Sequence, residues 1–144
     1  MYILILNGPN INFTGMRRPD IYGTAGYREM KEYIEKESPC PVIVMQHNSE
    51  GDIIDTLHRI HFDSDCIGVV LNAGAYTHYS YAIADAIEAI DKPVVEVHMS
   101  NIHAREDFRS KSVTAPYCIG VIAGFGVDSY LLGVRALMRH VAKD

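Results

Sequence analysis

The sequence has little of what would mark an unusual class of protein. Among its 144 residues are only three cysteines, six prolines and eleven glycines. Cys40, Cys66 and Cys118 stand singly, each in or beside an apolar run, which is the usage of buried thiols in a reducing cytoplasm and excludes a disulfide framework or a zinc knuckle. So few Gly and Pro exclude a collagen-like or disordered chain. No apolar run approaches the roughly 18–20 residues that span a bilayer. The opening MYILILNGPN carries neither a basic n-region nor a small-residue cleavage site, so no signal peptide and no membrane association are expected. Basic residues are the minority, thirteen Lys and Arg against eighteen Asp and Glu for a net charge of −5, and this argues against a dedicated nucleic-acid binder. Repeats, low-complexity tracts and linkers are absent, so residues 1–144 read as one cytoplasmic domain. A chain of this length buries roughly 68–70% of its unfolded surface, enough for a core without staples.

What is present is alternation. β-Branched runs at Tyr2–Leu6, Val42–Met45, Ile67–Leu71, Val94–Val97 and Cys118–Ala123 are continuously apolar, as strands covered on both faces are. Between them, apolar residues recur at helical steps: Ile53, Ile54, Leu57 and Ile60; Ile83, Ala86, Ile87 and Ile90; Leu131, Val134, Leu137, Met138 and Val141; and, more sparsely, Met30, Tyr33 and Ile34. Five strands alternating with four helices predict a three-layer α/β domain, an open five-stranded parallel sheet flanked by helices in a flavodoxin-like order.

In such sheets ligands bind at the carboxyl ends of the strands, and there the sequence is polar. After the first strand comes Asn7-Gly8-Pro9-Asn10, then a long connection to Gly23 that carries Arg17, Arg18 and Tyr22; loops of that length are commonly lids. The third strand leads into Asn72–His78, NAGAYTH, and the fourth into His98-Met99-Ser100, then His103, Arg105 and Arg109. Arginines gathered at this edge of an acidic protein suit a small anion, although Arg105-Glu106-Asp107-Phe108-Arg109 also invites internal ion pairs. His98 has Glu96 two residues back on the same strand face, placed to orient it. Tyr22 lies five residues from Arg17. A phenol ionises near pH 10, and holding it ionised near neutrality takes about 4 kcal/mol, which an adjacent guanidinium can supply. Asn7 and Asn72 stand where a receiver domain needs acids, and Gly124-Phe125-Gly126 lacks the third glycine of a dinucleotide fingerprint, so it reads as a strand–helix turn. A metal set of His78, His98, His103 and Asp85 has no supporting spacing. The residues alone leave open a proton-transfer enzyme, a non-catalytic module that holds a small anion, and a metal-dependent hydrolase.

Four ordered stretches resemble one family: Leu6–Asn12 (LNGPNIN), Gly15–Gly23 (GMRRPDIYG), Asn72–His78, and Glu96–Glu106 (EVHMSNIHARE) ending at Phe108-Arg109. Together they resemble the type II 3-dehydroquinate dehydratases along nearly the whole chain. The resemblance implies a flavodoxin-like lyase of the shikimate or quinate pathway that converts 3-dehydroquinate to 3-dehydroshikimate through an enolate, with no metal or organic cofactor. It implies that Tyr22, as phenolate, takes the proton alpha to the ketone, and that Arg17 keeps the phenol acidic. Asn10 would place a water at the enolate oxygen, and His98, oriented by Glu96, would protonate the departing hydroxyl. Asn72, His78, Ser100 and Arg109 match substrate contacts, with backbone amides at Met99 and Ser100, and Asp85 matches an aspartate supplied by a neighbouring subunit. Homotrimers assembling into a homododecamer are implied too. The chain departs from the family at Arg18, usually Glu, at Phe13 and Thr14, usually aliphatic, and at Ala84, commonly Arg.

Overall fold

The computed structural model describes residues 1–16, 18–22 and 26–143, with the backbone alone at Pro19 and Tyr22. Five parallel strands, β1 Tyr2–Asn7, β2 Val42–Gln46, β3 Cys66–Asn72, β4 Val94–His98 and β5 Gly120–Ala123, form one sheet in the order β2-β1-β3-β4-β5. The helices are α1 Pro19–Tyr22, α2 Tyr27–Glu37, α3 Glu50–His61, α4 Tyr81–Ala89 and α5 Asp128–Val141. The flavodoxin-like, three-layer expectation holds. Alternating side chains sort the core into two halves. Ile3, Ile5, Val70, Val95 and Val97 point to one face and pack with Met30 and Ile34 of α2 and Tyr130, Val134 and Leu137 of α5. Leu4, Leu6, Val69, Leu71 and Val94 point to the other, against Ile53, Leu57 and Ile60 of α3 and Ile83, Ala86 and Ile87 of α4. Ser49 and Ser80 cap α3 and α4, their hydroxyls accepting from the Asp52 and Ile83 N–H groups and so satisfying donors that a helix start leaves unpaired.

Three local expectations change. The fifth strand starts at Gly120 because Ala115–Tyr117 coil into a 3-10 turn around Pro116, closed by the Cys118 N–H on the Ala115 carbonyl. The outer strands are not covered on both faces. Val121 is 45% exposed and so is Ile43; through their registers with Glu96 and Leu4, both belong to the α3/α4 side, where the two helices leave the sheet margins bare. Tyr33 is exposed too. It lies to one side of the stripe that Met30 and Ile34 make at i, i+4, and its hydroxyl donates to Asp128 Oδ1 at 2.9 Å. The Gly124-Phe125-Gly126 stretch is a strand–helix turn as expected, both glycines at positive φ, with the Phe125 N–H on Ser129 Oγ. Among the described residues no helix is long and apolar enough to cross a membrane.

Candidate active site

The strand order reverses between β1 and β3, and the loops leaving β1, β3 and β4 meet there. Gly8 lets the loop after β1 press against the loop after β3: a Cβ at this position would collide with the Ala73 carbonyl oxygen, a contact only glycine avoids. Beyond it Asn10 sits at φ 67°, its N–H donating to Asn48 Oδ1 at 3.1 Å. Asn10, Asn72, His78, His98, Ser100, Arg105 and Arg109 then line one small cavity of about 60 Å³.

Underneath, the strand ends are joined by a buried hydrogen-bond chain. Asn7 and Asn72 are register partners on β1 and β3. The Tyr130 hydroxyl of α5 donates to Asn7 Oδ1 at 2.6 Å and accepts from Asn72 Nδ2 at 2.8 Å. Asn72 Oδ1 takes the Gly74 N–H at 3.2 Å. Most of the Asn72 carboxamide is thus committed to holding its own loop, with one N–H left for a ligand.

Glu96 and His98 share the α4-side face of β4. Both are buried, and Glu96 Oε2 lies 3.0 Å from His98 Nε2. That contact occupies Nε2 and leaves Nδ1 for proton exchange. Glu96 Oε1 accepts from Thr77 and Ser112, each at 2.9 Å, and from Thr114. Burial by itself would raise the Glu96 carboxyl. Hydrogen bonds from His98 and Thr114, attraction to His98 and the Ser112 hydroxyl outweigh it, so the group ionises below the ordinary glutamate value.

His78 stacks beside His98, ring centroids 6.3 Å apart. Its Nδ1 is 2.8 Å from the Lys111 carbonyl, an acceptor, so Nδ1 carries the proton and Nε2 is the acceptor of the neutral ring. Burial, against the pull of that carbonyl, lowers its pKa, as do the charges of His98 and Arg109. Arg109 Nε donates to Glu106 Oε2 at 2.7 Å, and the guanidinium lies 4.7 Å from the Phe108 ring centre, which leaves the terminal nitrogens for a ligand. Arg105, whose side chain is 10% exposed, donates to Ser100 Oγ at 3.2 Å. The internal ion pairing expected of this segment is present, at 2.7 Å from Glu106 to Arg109 and 3.9 Å to Arg105.

The other sequence candidates are placed as follows. Met99 is buried in the α5-side core, so only its backbone can serve the cavity. Asp85 is exposed on α4, outside the cavity, and His103 is exposed. Among the described residues, no three His, Cys, Asp or Glu side chains are grouped to hold a metal, so His78, His98, His103 and Asp85 do not form a ligand set. Arg17 and the Tyr22 side chain lie outside the described residues, and the pairing expected of them with it. Their neighbours are described: Arg18 holds Asp20 at 3.1 Å and keeps that carboxyl below its ordinary value, with a smaller pull from Arg105. The α1 segment therefore lies within electrostatic reach of the cavity wall. Sequence reasoning missed Thr77, Ser112, Thr114 and Tyr130 and left Arg105 without a role; the legible clue was a glutamate at the centre of an otherwise apolar strand.

A family model described as Dehydroquinase class II matches residues 1–138. The chain is 51% identical over 140 residues to a 3-dehydroquinate dehydratase of Clostridium beijerinckii, covering 95% of each chain. It is 54% identical over 142 residues to one of an Exiguobacterium species, 97% of this chain and 96% of that one. Among solved structures it superposes on a type II dehydroquinase from Butyrivibrio crossotus with a TM-score of 0.89 at 43% identity, over 96% of this chain and 97% of the other.

Proposed function

The chain belongs to the class II dehydroquinase family, and from that membership and the geometry at the strand ends we propose how residues 1–144 act as one catalytic domain. The protein dehydrates 3-dehydroquinate to 3-dehydroshikimate. Two protons move and one carbon–oxygen bond breaks, so side-chain acids and bases and fixed electrostatics carry the reaction without a cofactor. The Tyr22 phenolate takes the proton alpha to the ketone, and the electron pair moves onto the carbonyl oxygen. Arg17 stabilises the phenolate and the growing negative charge. A water held by Asn10 hydrogen-bonds the enolate oxygen. As the enolate collapses to the conjugated enone, the hydroxyl leaves with a proton from His98 and becomes water. Glu96 stabilises the imidazolium before that transfer and fixes the ring plane. Afterwards the Tyr22 proton returns to His98 through solvent, restoring both groups. His78 Nε2 accepts from a substrate hydroxyl, and Arg109 donates to ring hydroxyls. Ser100, the remaining Asn72 N–H and the backbone amides of Met99 and Ser100 complete the anchoring.

The observation that carries this reading is the buried Glu96–His98 pair beside a polar cavity. A module that merely held an anion would gain nothing from sinking an ionised carboxylate, at several kcal/mol of desolvation, to orient an imidazole. The same reading places the protein in the cytoplasm, as homotrimers in which Asp85 of one copy completes the site of the next, four trimers forming a dodecamer.

The test is the ultraviolet absorbance of the enone product. The protein is expected to generate it from 3-dehydroquinate, and Tyr22→Phe to lower kcat by about 10²–10⁴-fold, the range of general base catalysis, with the circular dichroism spectrum unchanged. Ordinary turnover by Tyr22→Phe would overturn the assignment of the base.

A further inference from the structure

Glu96 has two oxygens, and three hydroxyls converge on one of them. Thr77 comes from the loop after β3, while Ser112 and Thr114 come from the segment that follows Arg109. All three reach Oε1, and they also touch one another: Thr77 and Thr114 oxygens lie 2.6 Å apart, Ser112 and Thr114 3.2 Å, Thr77 and Ser112 3.4 Å. Thr77 and Thr114 are wholly buried, as is the carboxyl, so no solvent substitutes for any of them.

An ionised carboxylate only accepts hydrogen bonds, whereas a hydroxyl can turn its hydrogen wherever an acceptor is offered. With Glu96 charged, the hydroxyl hydrogens can all turn inward. With Glu96 protonated, Oε1 becomes a poorer acceptor and the acid proton must sit on Oε2, against the Nε2–H of His98. Saturating Oε1 also leaves Oε2 as the one carboxylate oxygen free to receive His98.

We propose that Thr77, Ser112 and Thr114 are positioning residues for the reaction, a hydroxyl cage that locks Glu96 as an anion with one oxygen presented to His98. The proposal rests on the roles given above to Glu96 and His98 and extends them. The same cage links loops that carry substrate contacts. The Val113 N–H donates to the Thr77 carbonyl at 2.8 Å, and the Lys111 carbonyl takes His78 Nδ1, so Arg109 and His78 are tied to the groups that order the acid. The other titratable neighbours are consistent. His98 and His78 face Glu96 from its own strand and from the loop after β3, and Arg109 acts on His78. Cys118 lies behind with its thiol pushed up to about 12 by burial and by the Glu96 charge, so it stays neutral and adds no competing charge.

Replacing Thr114 by Val keeps the shape and removes the hydroxyl. Thr114→Val is expected to lower kcat about tenfold, the size of one hydrogen bond to a charged group, with KM changed less than about twofold. The acid limb of the kcat–pH profile should move upward, and Thr114→Ser should restore turnover to within about threefold and return the profile. Ser112→Ala, at a partly exposed position, gives the same readout if Thr114→Val does not fold. In a Glu96→Gln background Thr114→Val should cost almost nothing further, since the hydroxyl acts through the carboxylate. If Glu96→Gln lowers kcat but folded Thr114→Val and Ser112→Ala leave kcat and its pH profile unchanged, the cage is overturned and the Glu96–His98 reading stands. Equal, additive losses in both backgrounds also overturn it, and unimpaired turnover by Glu96→Gln overturns both.

Discussion

A side chain without solvent exposure, such as Glu96, keeps a charge only if something replaces the water it has lost. Here the replacements are counted atom by atom: one imidazole nitrogen on Oε2 and three hydroxyls on Oε1. The consequence for stability has a definite sign. Because the folded carboxyl ionises below its unfolded value of about 4.3, its contribution is complete above that pH and is lost as pH falls through the folded value. The stability of the wild type relative to Glu96→Gln, measured by urea unfolding, is therefore expected to fall as pH is lowered from about 6 to about 3. A difference that stays constant across that range would mean that folding leaves the carboxyl unperturbed. Asn72 shows how one residue divides its groups between fold and site. Its oxygen and one amide hydrogen hold loop and core, which leaves one hydrogen unspent in a residue that lines the cavity.

Among the elements, α1 is the one whose length is telling. Four residues, Pro19–Tyr22, are far below the length at which a helix sustains itself in water, so its position depends on the rest of the protein. Asp20 is held by Arg18 and feels Arg105, and the next residues but one end in the proposed base. An anionic ligand drawing in Arg17, Arg105 and Arg109 would bring this segment with it. Cleavage by trypsin between Gly15 and Gly23 is expected to slow by several-fold, or about 1 kcal/mol of local ordering, when a non-reactive carboxylate analogue of the substrate is bound. Equal cleavage with and without the analogue would show that α1 takes no part in binding. Of the elements themselves, the sheet and the longer helices were legible in advance, since apolar runs and 3.6-residue periodicity are local signals. The α1 turn was not, because a single turn carries no period. The start of β5 lies later than the apolar run suggests because Pro116, its φ fixed by the ring, sits in a 3-10 turn just ahead of the strand, a steric effect that hydrophobicity does not record.

At the scale of the whole molecule, two observations point outward from a single chain. The α3/α4 side of the sheet leaves Ile43, Tyr117, Ile119 and Val121 more than 40% exposed, and Asp85 sits on the same side, on α4, outside its own cavity. Both fit an assembly in which copies cover those margins and Asp85 serves a neighbour. Mixing two crippled chains tests it. Asp85→Ala and His98→Ala proteins, each with turnover reduced by at least about tenfold, are expected to regain part of the activity when unfolded and refolded together, because some shared sites receive a wild-type residue from each. Mixtures no more active than the average of the separate proteins would mean that each site is built from one chain.

The amino-acid order by itself determined the layers, the strand count, the edge of the sheet where the polar cavity lies, and the pairing of Glu96 with His98. All of these rest on spacings of a few residues, where backbone geometry fixes which side chains share a face. Tertiary structure alone decided the rest. Tyr130 meets Asn7 across 123 positions of sequence, and Thr77, Ser112 and Thr114 reach Glu96 from two different loops. Serine, threonine and tyrosine are commonplace along a chain and announce nothing there. They acquire a role only when folding removes water and brings the Tyr130 hydroxyl to Asn7 and the other three to one oxygen of Glu96.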